Sequence, residues 1–172
     1  EKGPGPFFTP EAGTSTKKIW LRGLFSALLL GVCALAHATG YTLPALDGRM
    51  QSLDQYRGKW VIVNYWATWC GTCRKELPDL ISLHEKHRDK DIVVVGINFE
   101  EIGRQELQAF VAAQNIPYPV LRTRPVRKTP LGLVPALPTT YIIDPSGKTV
   151  AGEVGLVTQQ NLEDYIASQR GK

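Results

Sequence analysis

Apolar and polar positions along this chain alternate with two different periods. Trp60 to Trp66 and Ile92 to Asn98 are almost continuously apolar, rich in valine, isoleucine and aromatic residues, and the first is bounded by Arg57-Gly58-Lys59. Runs of this length and composition predict strands buried on both faces, as in a parallel sheet. Between them Cys73, Leu77, Leu80, Ile81 and His84 recur at three- and four-residue spacings, which predicts an amphipathic helix reaching about His87. Pro78 inside it removes a backbone donor and predicts a kink, leaving the first turn as a semi-independent platform. A second helix is predicted from Arg104 to Gln114, with Leu107, Phe110 and Val111 on its inner face. Strand, helix, strand, helix is the order of a parallel α/β sheet.

The ends of this block follow a period of two. Tyr41 to Leu46 and Met50 to Leu53 flank Asp47-Gly48, a short-range hairpin signal, and predict an N-terminal β-hairpin. Thr139 to Asp144 and Val150 to Val154, joined by Pro145-Ser146-Gly147, predict an antiparallel pair, and Gln159 to Ser168 a closing helix. The expectation is one three-layer α/β domain with a mixed central sheet flanked by helices, which suits a chain of 172 residues.

Residues 1–38 read differently from residues 39–172. Lys17 to Arg22 is a basic stretch, Gly23 to Ala36 is apolar, and Ala36-His37-Ala38 fits a small-x-small cleavage site. This is the layout of a secretory signal peptide. The apolar run is shorter than the roughly 20 residues that span a bilayer, so cleavage after Ala38 is expected, with retention as a membrane anchor the alternative. Glu1 to Thr16, with its Gly-Pro-Gly-Pro run, is an unusual approach to such a signal, and Cys33 reads as a small hydrophobe of the leader. Export places the domain in a periplasmic or other extracytoplasmic space.

Composition then excludes some functions. The net charge is +4, and without residues 1–38 the chain carries 16 basic against 14 acidic residues, so no nucleic-acid-binding face is expected. The one basic cluster, Arg122, Arg124, Arg127 and Lys128, lies in a proline-containing stretch and reads as a solvated loop, or as a rim that steers substrate.

The mature chain has two cysteines, Cys70 and Cys73. A bridge between them closes almost no loop and adds little stability, so redox work is the expected use. Strand, then Cys-x-x-Cys, then helix sets Cys70 at the helix start, where unpaired amides and the macrodipole favour a thiolate. Cys73 sits one turn further in. Cys70 is thus expected to attack a substrate disulfide and Cys73 to resolve the mixed disulfide. Zinc would need further ligands, of which only His84 and His87 are at hand, while Cu(I) would need only the two thiolates.

Two motifs carry a resemblance. Asn64 to Pro78, read Asn-Tyr-Trp-Ala-Thr-Trp-Cys-Gly-Thr-Cys-Arg-Lys-Glu-Leu-Pro, resembles the active-site stretch of the TlpA/ResA branch of exported thioredoxin-like proteins. Leu137 to Asp144, read Leu-Pro-Thr-Thr-Tyr-Ile-Ile-Asp, resembles a later element of the same branch. The match covers roughly Tyr41 to the C-terminus and implies a thioredoxin-like fold with an N-terminal hairpin extension.

The resemblance also implies that Pro138 is a cis-proline facing the cysteines, with no N–H to approach the sulfurs, and that Leu137 offers backbone to a substrate strand. An ordinary trans-proline at a strand start is the other reading. Trp69, Gly71, Thr72, Leu137 and Thr139 are the expected substrate contacts, with Trp66 shaping the site or only packing. Glu76 matches a glutamate of this branch, one helical turn from Cys73, placed to raise that thiol's pKa and pass protons; a solvated first-turn glutamate is the plainer reading. Asn64 stands where thioredoxin has a buried acid.

The implied activity is thiol-disulfide exchange with no cofactor beyond the Cys70–Cys73 disulfide and no metal. A reductase of exported proteins is expected, with apocytochrome c or copper-ligand thiols as targets, a membrane dithiol donor and a monomeric state. A disulfide-forming oxidant and a Cu(I)-handling protein are the rivals. A thiol peroxidase would share the fold, but the close second cysteine argues against it.

Overall fold

The computed structural model describes residues 40–170, so the expected leader, its cleavage site and Cys33 lie outside the described residues. The two apolar runs form β3 (Trp60–Trp66) and β4 (Ile92–Phe99), every residue of both buried. They pair in parallel from Trp60↔Ile92 to Trp66↔Asn98, with α1 (Gly71–His87) as the crossover. The helix runs through Pro78 as one element.

A second crossover, α2 (Arg104–Ala113), leads to β5 (Val120–Thr123), which pairs in parallel with β4. The later antiparallel pair is β8 (Thr139–Ile143) and β9 (Thr149–Val154); β8 lies against the other side of β3, with Tyr65 opposite Thr139. The sheet order is β5-β4-β3-β8-β9, and α3 (Gln159–Arg170) closes the described chain.

The two crossovers step across the sheet in the same direction. Since such connections are right-handed, both helices fall on one face. α3 joins them there, and Leu80, Leu83, Leu107 and Leu162 pack with Ile62 and Val94 into one core. The opposite face is covered by hairpins. The predicted N-terminal one is β1 (Thr42–Pro44) with β2 (Met50–Ser52), followed by a 3-10 turn at Leu53–Tyr56. Tyr41, Leu43 and Leu53 from this segment pack on Val63, Tyr65 and Ile97. The second hairpin is β6 (Lys128–Thr129) with β7 (Gly132–Leu133), which adds Leu131 and Val134 to the same core.

The mixed sheet flanked by helices is as expected, with one refinement: among the described residues the layer opposite the α-helices is built of β-hairpins. Arg122 also departs from the loop reading. It lies in β5, half-buried, and donates to the Ile102 carbonyl at 2.6 Å. β5 is four residues long, with Pro117 and Pro119 before it and Pro125 after, a composition that reads as loop.

Gly96 in β4 shows how tightly the sheet meets its cover. A Cβ there would come within 2.8 Å of Trp66 Nε1 and 3.1 Å of the Tyr118 ring. Gly96→Ala is therefore expected to destabilise the fold by about 1–3 kcal/mol through overpacking. Denaturant unfolding of the oxidised protein checks this, and an unchanged midpoint would contradict the packing described.

Candidate active site

β3 delivers the chain to the sheet's upper edge at Trp66, whose ring packs 5.6 Å from that of Phe110. The next three residues form a short loop, closed by Cys70 N donating to the Ala67 carbonyl at 3.2 Å. Glu100, just past the end of β4, holds that loop. Its carboxylate accepts from Thr68 N at 2.7 Å and Thr68 Oγ1 at 3.2 Å, and from Asn98 Nδ2 at 2.8 Å. Trp69 is thereby left 68% exposed beside the cysteines.

Cys70 is the N-cap of α1. Its backbone is extended, and its Sγ accepts a hydrogen bond from Cys73 N at 3.1 Å. The two sulfurs are joined as a disulfide, 2.14 Å apart with Cα atoms 5.2 Å apart. Cys70 is 6% exposed and Cys73 1%, while Gly71 and Thr72 between them are exposed. No acidic residue occupies the first turn, so the positive end of the helix is unopposed there. In the reduced state an amide donor aimed at Cys70 Sγ favours the thiolate.

Glu76 is not the solvated glutamate of the plainer reading: it is wholly buried. Oε1 accepts from Asn64 Nδ2 at 2.8 Å and Oε2 from Val157 N at 3.0 Å. Asn64 Nδ2 also donates to Thr140 Oγ1 at 3.0 Å, so β3, β8 and the segment before α3 all meet at this side chain. Burial pushes the carboxyl up to about 7, against the lowering effect of the Val157 and Asn64 bonds; nearby Asp79 adds a smaller upward push.

The Leu137–Pro138 peptide is cis. Because Thr139 opens β8 opposite Tyr65, Pro138 lies at the same edge of the sheet as the cysteine loop. Gly155 N donates to the Pro138 carbonyl at 2.9 Å, and Leu137 is half-buried. Thr139 is wholly buried with its hydroxyl donating to the Ala136 carbonyl at 2.7 Å, so its side chain supports the loop from beneath and is not open to a substrate.

His84 and His87, the candidate metal partners of the pair, lie far from it. His84 is eleven residues beyond Cys73 in one helix, about 16 Å along the axis. It is buried against Tyr118, and its Nδ1 accepts from Val94 N at 3.4 Å. Burial holds the imidazole below its usual pKa, with the Arg88 charge adding to the effect. His87 Nε2 sits 2.9 Å from Glu163 Oε1. Glu100 and Asn98 are the residues that sequence reasoning passed over. Their signal was position: polar groups at the carboxyl end of a parallel strand, where open α/β sheets build their sites.

The AhpC/TSA family matches residues 35–151. The thioredoxin-like protein YneN of Bacillus subtilis is 30% identical over 167 residues, covering 87% of this chain and 97% of its own. A thiol-disulfide oxidoreductase ResA from Bacillus thuringiensis is 30% identical over 131 residues, covering 75% of this chain and 74% of its own. Among solved structures, a secreted thiol-disulfide isomerase from Corynebacterium glutamicum superposes with a TM-score of 0.67 at 30% identity, covering 73% of this chain and 80% of that one. With its cysteine pair capping the helix after a central strand, this chain belongs to the AhpC/TSA family and is a thiol-disulfide oxidoreductase of thioredoxin-like fold.

Proposed function

We propose that this chain works outside the cytoplasm as a reductase of protein disulfides, with Cys70 as nucleophile and Cys73 as resolving thiol. The observation that carries the assignment of roles is the Cys73 amide directed at Cys70 Sγ at the mouth of α1. The Cys70 thiolate attacks one sulfur of the substrate disulfide, forms a mixed disulfide and releases the first substrate thiolate. The Cys73 thiolate then attacks Cys70 Sγ, releases the second substrate thiolate and leaves the Cys70–Cys73 disulfide. Two electrons pass to the substrate, and a membrane dithiol donor restores the pair.

Exposed Trp69, Gly71 and Thr72 form the rim on the helix side, and Leu137 offers backbone on the other, with Pro138 presenting no N–H toward the sulfurs. The resemblance of Asn64 to Pro78 to the TlpA/ResA branch is what supports apocytochrome c thiols or copper-ligand cysteines of exported proteins as targets. Two carboxylates serve the pair in different ways. Glu76 takes and returns the proton of Cys73 during exchange, its pKa of about 7 suiting transfer near neutrality. Glu100 acts through Thr68 as a positioning residue for the loop that carries Trp69 and Cys70.

Cys73→Ser, expressed in the native host, is expected to retain a partner covalently attached to Cys70, whereas Cys70→Ser retains none. Non-reducing electrophoresis and mass spectrometry read the result, and recovery only with Cys70→Ser would reverse the roles. The potential of the pair against glutathione separates reductase from oxidant; an oxidising value would mean that electrons flow from substrate thiols to the pair, against this proposal.

Glu76 carries a pH signature. Its folded-state pKa is raised from 4.5 to about 7, so folding favours the protonated carboxyl. The stability it contributes is complete below pH 4.5 and is lost as pH rises toward 7, by roughly 3 kcal/mol at about 1.4 kcal/mol per unit. In Glu76→Gln this fall is expected to flatten, as read by urea unfolding at a series of pH values. The Cys73 thiol pKa is also expected to drop, as read by thiolate absorbance; an unmoved thiol pKa would refute the proton role.

Glu100→Gln keeps an oxygen for Thr68 N and Asn98 Nδ2 and an amide for Thr68 Oγ1, so near-wild-type turnover is expected. Glu100→Ala removes all three bonds and is expected to lower kcat/KM about tenfold, chiefly through KM as the Trp69 rim loosens. Equal losses in both variants would assign the effect to the charge instead.

A further inference from the structure

Thiol exchange leaves the run from Arg122 to Lys128 without a task. Between Glu106 and Asp144 the chain carries no carboxylate, yet Arg122, Arg124, Arg127 and Lys128 fall within seven residues. The structure divides them. Arg122 is committed to the Ile102 carbonyl. Arg124, Arg127 and Lys128 are exposed, and among the described residues the one carboxylate within 4.0 Å of any of them is that of Glu101, beside Arg124. Three exposed cations within five residues, with a single carboxylate at ion-pair distance among the described residues, make a locally positive patch.

These charges stand on a firm support. β6 and β7 are pinned by buried Leu131 and Val134, by Tyr141 Oη donating to the Leu133 carbonyl at 2.6 Å, and by a 3.1 Å hydrogen bond between Tyr65 Oη and Thr129 Oγ1. Val126 and Leu133 remain 46% and 59% exposed on the same hairpin segment. The segment also borders the redox site at both ends. Arg122 and Arg124 line a groove of about 500 Å³ together with Leu43, Pro44 and Glu100, and Glu100 is the residue that holds Thr68, two positions before Cys70. At its other end the segment runs into the cis Leu137–Pro138 peptide.

From this placement we infer that the β6–β7 hairpin is a specificity surface for the polypeptide whose disulfide is exchanged, and that it takes an acidic segment flanking the partner's cysteine. Carboxylates of that segment lie along Arg124, Arg127 and Lys128, with apolar side chains against Val126 and Leu133. Charges at such a rim act mainly on encounter rate and choice of partner. The inference rests on the protein-disulfide exchange proposed above, and its test separates the two.

The full chain, reduced, is offered disulfide-linked peptides that differ only in three flanking residues, all Glu or all Gln. The Glu peptide is expected to react about tenfold faster at low salt, the size that three exposed ion pairs supply together. The advantage should vanish at about 1 M salt, where the screening length is about 3 Å. In Arg124→Gln/Arg127→Gln/Lys128→Gln the advantage is expected to fall within twofold, with the Gln-peptide rate unchanged. Equal rates in the wild type, or an advantage that survives the triple substitution, would overturn the inference. Failure to reduce either peptide would instead overturn the exchange reading beneath it. Sedimentation with phosphatidylserine vesicles that the triple substitution abolishes would assign the patch to lipid and also overturn it.

Discussion

A carboxyl group with no access to water, one helical turn beyond Cys73, is the constraint around which the rest of this molecule is arranged. Glu76 receives the amide of Asn64 from β3 and the backbone N–H of Val157 from the segment that leads into α3. Such a group is costly to bury unless its oxygens are satisfied, and both of these are. The satisfaction comes from two parts of the chain 12 and 81 residues away, so correct seating of Glu76 requires that β3, β8 and the start of α3 already be in place. The cysteine helix is thus referenced to the sheet by a polar contact in a surrounding of Leu77, Leu80 and Trp66. Apolar packing alone would tolerate small shifts of α1 along β3; a pair of directed hydrogen bonds does not.

Two structural layers share the task of holding the pair. From beneath, Glu76 fixes the helix. From the side, Glu100 fixes the loop by which the chain enters it, through both the amide and the hydroxyl of Thr68. Between these supports Cys70 caps the helix with sulfur in place of the usual hydroxyl or carboxylate. The arrangement keeps acidic side chains out of the first turn while placing one buried carboxyl a turn beyond Cys73.

The elements that carry the site were legible in the sequence because each is long or strongly patterned. β3, β4 and α1 announce themselves by unbroken apolar runs and by the Leu77, Leu80, His84 spacing; β3 has the predicted bounds, β4 ends one residue later and α1 ends at His87 as expected. β5 and the β6–β7 hairpin were not legible. They are two to four residues long, rich in proline, arginine and threonine, and held by contacts distant in the chain, such as Leu121 beside Ala45 and Thr129 beside Tyr65. Within the site, the spacing of the cysteines and the turn separating Glu76 from Cys73 could be read locally. That Glu76 is buried, that Thr139 faces inward and that Glu100 reaches back to Thr68 depend on which strands lie side by side, and no local period encodes that.

The segregation of helices to one face and hairpins to the other has a consequence for how such a protein diversifies. The tip of the β6–β7 hairpin is anchored by Leu131, Val134 and a few hydroxyl bonds to a core that shares no helix residue with the one beneath the cysteines. Its exposed sequence can therefore drift, lengthen or be exchanged for another without disturbing the electrochemistry of the sulfurs. In this architecture the choice of client and the chemistry done on it are separable traits, open to independent selection and to independent engineering.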